Sequence, residues 1–189
     1  MKRQACSRLV AIFLSAIMSA ACLPLTVLAA EPAGDSSERL YFSRADNRKG
    51  WVIGDTAGEL QLKSTTGEVV TELAAGTEYR LYDPGDLSVS GSDTYMNPFD
   101  LEGDTVTGDT RTDTRAGTVK LAEGENGGYF IQYTMDGTVL NLTDRTKIRE
   151  RDGYATVVFA AGGAVEFQIT PAGAGKDTFH IWYAGEGSE

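Results

Sequence analysis

From Arg39 onward every apolar stretch is short, rich in Val, Ile, Thr, Tyr or Phe, and cut off by a glycine pair, a lone glycine or Asp-Gly. No segment holds a 3.6-residue period long enough to build a helix. Several instead alternate apolar and polar residues with the period of two that a half-buried strand requires. The region 39–186 is therefore expected to fold as one all-β domain of antiparallel strands. Besides the hairpins below, the candidate strands are Arg39 to Ser43, Glu68 to Leu73, Thr77 to Tyr82, Leu87 to Ser90, Thr118 to Ala122, Thr146 to Glu150 and Thr178 to Tyr183. Recurrence about every ten residues is the spacing of a sandwich or barrel.

In YFIQYTMDGTVLNLT, Asp136-Gly137 suits a two-residue turn that needs positive φ at both positions. Counting outward pairs Tyr133 with Leu140 and Ile131 with Leu142 on one face, and Gln132 with Asn141 on the other. A second unit, YATVVFAAGGAVEFQIT, is expected to turn at Gly162-Gly163, setting Val158 against Phe167, Ala160 against Val165 and Thr156 against Ile169. GWVIGDTAGELQL, beginning at Gly50, has a similar shape, one that hairpins reach by convergence as readily as by internal repetition.

The stretch LAAGTEYRLY from Leu73 resembles the Leu-x-x-Gly-Thr-x-Tyr corner of fibronectin type III modules and is similar to the Gly-x-Tyr turn of prealbumin-like repeats in bacterial surface proteins. The resemblance covers this stretch and the TGEVVTEL before it. It implies an antiparallel β-sandwich, Ig-like or prealbumin-like; an open barrel, which the strand spacing also allows, is the alternative. It also implies that the Tyr79 hydroxyl bonds back to the chain at a strand corner. Prealbumin-like modules carry a Lys–Asn isopeptide bond to the last strand. Here Lys49 or Lys63 would serve as the lysine, but DTFHIWYAG holds no asparagine, so that cross-link is not expected.

Ahead of the domain, a basic start (Lys2, Arg3, Arg8) and an apolar run from Leu9 to Ala30 have the layout of a signal peptide over residues 1–30, with a signal helix. Val27-Leu28-Ala29 supplies a small-x-Ala cleavage pattern. The run also has the length of a membrane anchor, which Pro24 and the small residues after it disfavour. Ser19-Ala20-Ala21-Cys22 is similar to part of a bacterial lipoprotein signal, although apolar residues continue beyond the cysteine. Residues 31–38, EPAGDSSE, read as a disordered spacer. Both cysteines, Cys6 and Cys22, fall in the export segment, so the domain has no disulfide, cysteine nucleophile or sulfur-based zinc site. The formal net charge is −10, and the export segment contributes cations but no acids, leaving the remainder more acidic still. Nucleic acid and anionic membrane surfaces are accordingly disfavoured as partners.

Residues 91–117, GSDTYMNPFDLEGDTVTGDTRTDTRAG, read as a long acidic loop or a seam between two small sheets, with one short strand around Val106. Asp93, Asp100, Glu102, Asp104, Asp109 and Asp113 are hard oxygen donors suited to calcium, the one cofactor the composition suggests. The Asp-x-Asp-x-Asp-Gly spacing is absent, so no metal ligand is assigned, and a solvated acidic segment is the simpler reading.

His180 is the only histidine, in FHIWY, where alternation puts it with Trp182 opposite Phe179, Ile181 and Tyr183. A lone imidazole lacks the partners of a triad or metal site. Gly-x-Ser-x-Gly is absent, and PAGAGKDT departs from the phosphate-loop pattern at Thr170 and Asp177. No catalytic residue is assigned. Trp51, Tyr95, Trp182 and Tyr183 could form an aromatic platform for sugars, although core packing competes for each. Tyr95, in the polar segment, and Trp182 are the candidate ligand-binding residues. Asn141-Leu-Thr143 fits a glycan acceptor but lies inside the best hairpin.

These features together suggest a secreted or cell-envelope β module of bacterial type, with a binding, adhesion or structural role and no catalysis. Its expected partner is an extracellular protein or a glycan. The alternatives are a small carbohydrate-active hydrolase using paired carboxylates and a β-barrel carrier of an apolar ligand.

Overall fold

A computed structural model describes residues 39–45, 50–85, 94–102, 105–111, 117–149 and 153–185. The expected signal segment 1–30, the spacer 31–38 and the Leu87 to Ser90 strand lie outside the described residues. In chain order the strands are β1 (Arg39–Arg44), β2 (Trp51–Gly54), β3 (Gln61–Lys63), β4 (Val69–Val70), β5 (Glu78–Asp83), β6 (Thr94–Glu102), β7 (Thr105–Arg111), β8 (Val119–Glu123), β9 (Tyr129–Met135), β10 (Thr138–Ile148), β11 (Ala155–Ala160), β12 (Glu166–Pro171) and β13 (Phe179–Ala184). Among the described residues there is no helix, and every pairing is antiparallel.

The pairings close a ring. β9 bonds β10, β10 bonds β11, β11 bonds β7, β7 bonds β6, β6 bonds β5, β5 bonds β8, and β8 returns to β9. A closed antiparallel barrel with appended strands therefore replaces the expected sandwich, because the hydrogen-bonded path never divides into two separate layers. β12 branches from β9 through Glu166↔Phe130 and then turns to β13 through Gln168↔Trp182. β13 pairs β1, β1 pairs β2, and β2 comes back to lie against β11.

The β9–β10 hairpin forms in the expected register, with Tyr133↔Leu140 and Gln132↔Asn141 paired. Asp136 (φ 48°) and Gly137 (φ 80°) supply the two left-handed turn residues. Gln132 Nε2 donates to Asn141 Oδ1 at 3.0 Å on the wetter face, while Ile131, Leu140 and Leu142 are buried on the other. The Tyr79 corner also forms: Ala74 N–H donates to the Tyr79 hydroxyl at 2.9 Å, and the hydroxyl faces the Ala74 carbonyl at 3.4 Å.

The expected β11–β12 hairpin does not form. β11 pairs β10 and β7, whereas β12 pairs β9 and β13. Residues Thr156 to Ala160 are buried without alternation, because the barrel core covers one side of β11 and β2 the other. The GWVIGDTAGELQL unit is not a hairpin either: β2 pairs β1, and β3 pairs β4 and β5. Thr146 to Glu150 is not a separate strand, since β10 runs on through an irregularity between Leu142 and Thr146. The segment expected to be a long acidic loop is largely the β6–β7 hairpin, paired from Tyr95↔Arg111 to Glu102↔Thr105, with Val106 on β7.

One core cluster joins the barrel to the branch. Phe42, Trp51, Phe179 and Ile181 from the branch meet Leu81, Leu121, Ile131, Leu142 and Phe159 from the barrel. With those side chains inward, the opposite face of the branch carries its remaining residues outward.

Candidate functional site

Antiparallel register lets the branch sheet be read in rows. One row crosses all four strands, Gly54–Tyr41–Trp182–Gln168, and beside it lie Val52↔Ser43 on β2 and β1 and His180↔Thr170 on β13 and β12. These positions alternate with the buried Phe42 and Ile181, so they share the outward face. The sequence RLYFSR encodes it: Leu40 and Phe42 face one way, Arg39, Tyr41 and Ser43 the other. Tyr41, His180, Trp182, Gln168 and Thr170 are half-buried, their outer surfaces accessible to a partner.

The rings on this face are held in place. Tyr41 and His180 meet edge-to-face at 6.0 Å between centroids. Trp182 Nε1 donates to Thr170 Oγ1 at 3.2 Å, and the Arg39 guanidinium lies 4.3 Å from the Trp182 ring centroid. His180 Nδ1 is 3.0 Å from the Gly58 carbonyl, which only accepts, so Nδ1–H is the donor.

That contact belongs to a crossing segment, residues 55–59, which leaves β2 and passes over the end of β1. Gly58 sits so close that an added Cβ would stand 2.6 Å from Ser43 Cβ, so only glycine fits the crossing. Anchors follow at once. Glu59 takes a 2.6 Å ion pair from Lys176 Nζ and a 3.1 Å hydrogen bond from Thr178 Oγ1, and Leu60 and Phe179 exchange backbone hydrogen bonds at 2.9 and 2.7 Å. Gln61 Nε2 donates to Asp177 Oδ2 at 2.9 Å. The Lys176 hydrogen bond is the main reason the Glu59 carboxyl is held below its ordinary pKa; partial desolvation opposes it, and Thr178 assists.

Between this crossing and the β1–β2 edge lies an open cavity of about 260 Å³, lined by Ser43, Arg44, Ala45, Val52, Gly54, Asp55 and Thr56. Gly54 leaves its floor bare, with nothing within 4 Å of where a Cβ would stand. Asp55 and Thr56 form its polar wall, with Thr56 Oγ1 donating to Asp55 Oδ1 at 3.2 Å. The Arg44 charge is already engaged, 3.4 Å from Asp83 Oδ2 and 5.9 Å over the Trp51 ring.

The expected platform does not assemble. Tyr95 is only 6 % exposed on β6, tilted against Tyr82 at 4.7 Å, with the Lys63 ammonium 3.5 Å over Tyr82 and 5.5 Å from Tyr95. The polar composition around Tyr95 hid a strand on which Met96 enters the core while Tyr95, on the other face, is covered by Tyr82 and Lys63. Trp51 is fully buried and stacks on Phe42 at 5.4 Å. Tyr183 faces away from Trp182 and meets Phe167 at 5.5 Å. Of the four, Trp182 alone lies on the outward branch face, beside the Tyr41 that the sequence reading passed over. The six carboxylates suited to calcium are not among the described side chains, and no cluster of three or more metal-binding groups occurs among those that are.

No protein-family model matches the chain, and neither a curated protein nor a solved structure does.

Proposed function

We propose that the chain is an exported binding module, secreted or held at the cell envelope, which contacts a glycan through the outward face of β2, β1, β13 and β12 without catalysing a reaction. The observation that carries this reading is the row Gly54–Tyr41–Trp182–Gln168. It sets two aromatic side chains next to each other on one sheet face, outside the core, with amide, hydroxyl, imidazole and guanidinium groups around them. Aromatic side chains present apolar area and a polar tip at low entropic cost, which suits sugar rings that are apolar on one face and hydroxylated at the rim. The acidic net charge of −10 favours neutral over anionic glycans.

The hydrolase alternative needs two carboxylates facing each other across a cleft, and Asp55 is the single acid among the described residues lining the cavity. The carrier alternative needs an enclosed apolar space, whereas the inward side chains of barrel and branch form one packed cluster. The test is retention of the purified full chain on a panel of immobilised neutral and acidic polysaccharides, beside Tyr41→Ala and Trp182→Ala. The proposal expects retention on a neutral polymer that both variants lose while still melting cooperatively. Retention unchanged in both variants, or none on any polymer, would sink it.

A further inference from the structure

We infer that the cavity floored by Gly54 is a further subsite, taking one uncharged, hydroxyl-bearing sugar ring of the glycan that lies along Tyr41 and Trp182. The inference rests on the glycan-binding reading above. Its first support is continuity, since Gly54 is the residue paired with Tyr41 in the row that carries Trp182. Val52 and Ser43, which also line the cavity, are the neighbouring pair on the same face, so the cavity lies beside the Tyr41 position. The second is a wall. Residues 55–59 leave β2 and run over Ser43 towards His180 and Phe179, in the same direction as the row, and are tied down by Glu59–Lys176 and by the paired backbones of Leu60 and Phe179, so the cavity is walled on one flank.

Size and chemistry agree with a single ring. A volume of about 260 Å³ falls below the range of drug-sized pockets, roughly 300–1,000 Å³, and is enough for one sugar ring with some water. Gly54 and Val52 offer a flat, apolar floor, while Asp55, Thr56 and Ser43 bring oxygen acceptors and hydroxyls to one wall. Asp55 repels a carboxylate or sulfate, and Arg44, the guanidinium among the described lining residues, is already paired with Asp83. Hydroxyl donors on the ligand fit this wall; anionic groups do not.

Gly54→Leu fills the floor, and because the added side chain starts in open space the variant is expected to fold. Binding of soluble neutral oligosaccharides (gluco-, manno- and xylo-oligomers) and of an oligogalacturonate would be followed by calorimetry, with a thermal melt of each variant. The expected result is at least tenfold weaker binding of the neutral oligomer for Gly54→Leu at an unchanged melting temperature, a smaller loss for Asp55→Asn, and no preference for the uronate. If Gly54→Leu binds as the parent does while Tyr41→Ala does not, the subsite falls and the platform stands. If Tyr41→Ala also binds as the parent does, both fall. A preference for the uronate overturns the chemistry assigned to the wall. Should Gly54→Leu melt early, Gly54→Ala, which adds a single methyl group, replaces it under the same criteria.

Discussion

The barrel and the branch sheet use the same kind of strand for opposite ends. In the barrel the outward positions of β8 and β10 include the exposed Lys120, Asp144 and Thr146. In the branch the outward positions are Tyr41, His180 and Trp182, large rings left half-exposed although the core is already filled from the other face. Burying such rings contributes stability, and leaving them outside forgoes it. Barrel strands carry half-buried rings facing away from the core too, Tyr82 on β5 and Phe130 on β9, but on separate strands; what separates the branch, and locates the candidate site, is that Tyr41, Trp182 and His180 lie together in adjacent rows.

Removing core volume should produce the largest difference. Phe159→Ala in the barrel is expected to cost about 3–5 kcal/mol in denaturant unfolding, against about 1 kcal/mol for Trp182→Ala on the branch. Equal costs would mean that Trp182 is a core residue and would erase the contrast. Next comes the turn: Gly137→Ala must hold φ 80° with a Cβ and should lose about 1–2 kcal/mol, whereas Gly54→Ala, with no such φ, should lose under about 1. Tyr79→Phe deletes the bonds to Ala74 at the barrel corner and is expected to cost about 1 kcal/mol without altering the near-ultraviolet signal of the two branch tryptophans, Trp51 and Trp182.

The smallest effect concerns Glu166, where barrel and branch meet. Its carboxylate accepts backbone N–H bonds from Glu125 (3.0 Å), Asn126 (2.8 Å) and Gly128 (2.8 Å), and one from Asn126 Nδ2 at 3.0 Å. Partial desolvation pushes its pKa up, but the donors from Gly128, Asn126 and Glu125 together outweigh that and hold it below the ordinary Glu value. A depressed pKa contributes stability that is complete above the unfolded-state value, near 4.5, and fades as pH falls through the folded one. Amide exchange at Asn126 and Gly128 should therefore accelerate, relative to barrel amides, on acidification past that value, and Glu166→Gln should remove the pH dependence. An unchanged acid response in Glu166→Gln would assign it to other carboxylates, with Glu59, also depressed and tied to Lys176, the first to examine.

What was legible in the sequence was local. Asp136-Gly137 determines a turn, and a turn determines the register of the two strands beside it, so Tyr133↔Leu140 follows by counting. The tyrosine corner is equally short-range, five residues from Ala74 to Tyr79. The Gly162-Gly163 segment looks similar but spans β11 to β12, and nothing in alternation alone says which distant strand each will meet. The same gap hid the candidate site. RLYFSR and FHIWY each show which residues share a face, yet only the pairing Tyr41↔Trp182 brings the two faces together. Tyr95 failed for the converse reason: its polar neighbours signalled a loop, whereas β5 and β7 recruit the segment into the barrel.

The β1–β13 pair, with Arg39 opposite Ala184, joins the first described strand to the last. Neither the branch sheet nor the row of Tyr41 and Trp182 can assemble until β13 is present together with β1, and topologies dominated by such distant pairings fold slowly. Under the proposed export, a chain threaded through a membrane from its amino end would stay in a translocation-competent state until β13 emerged. Binding competence would then arrive last, on the far side, in the compartment where the ligand is.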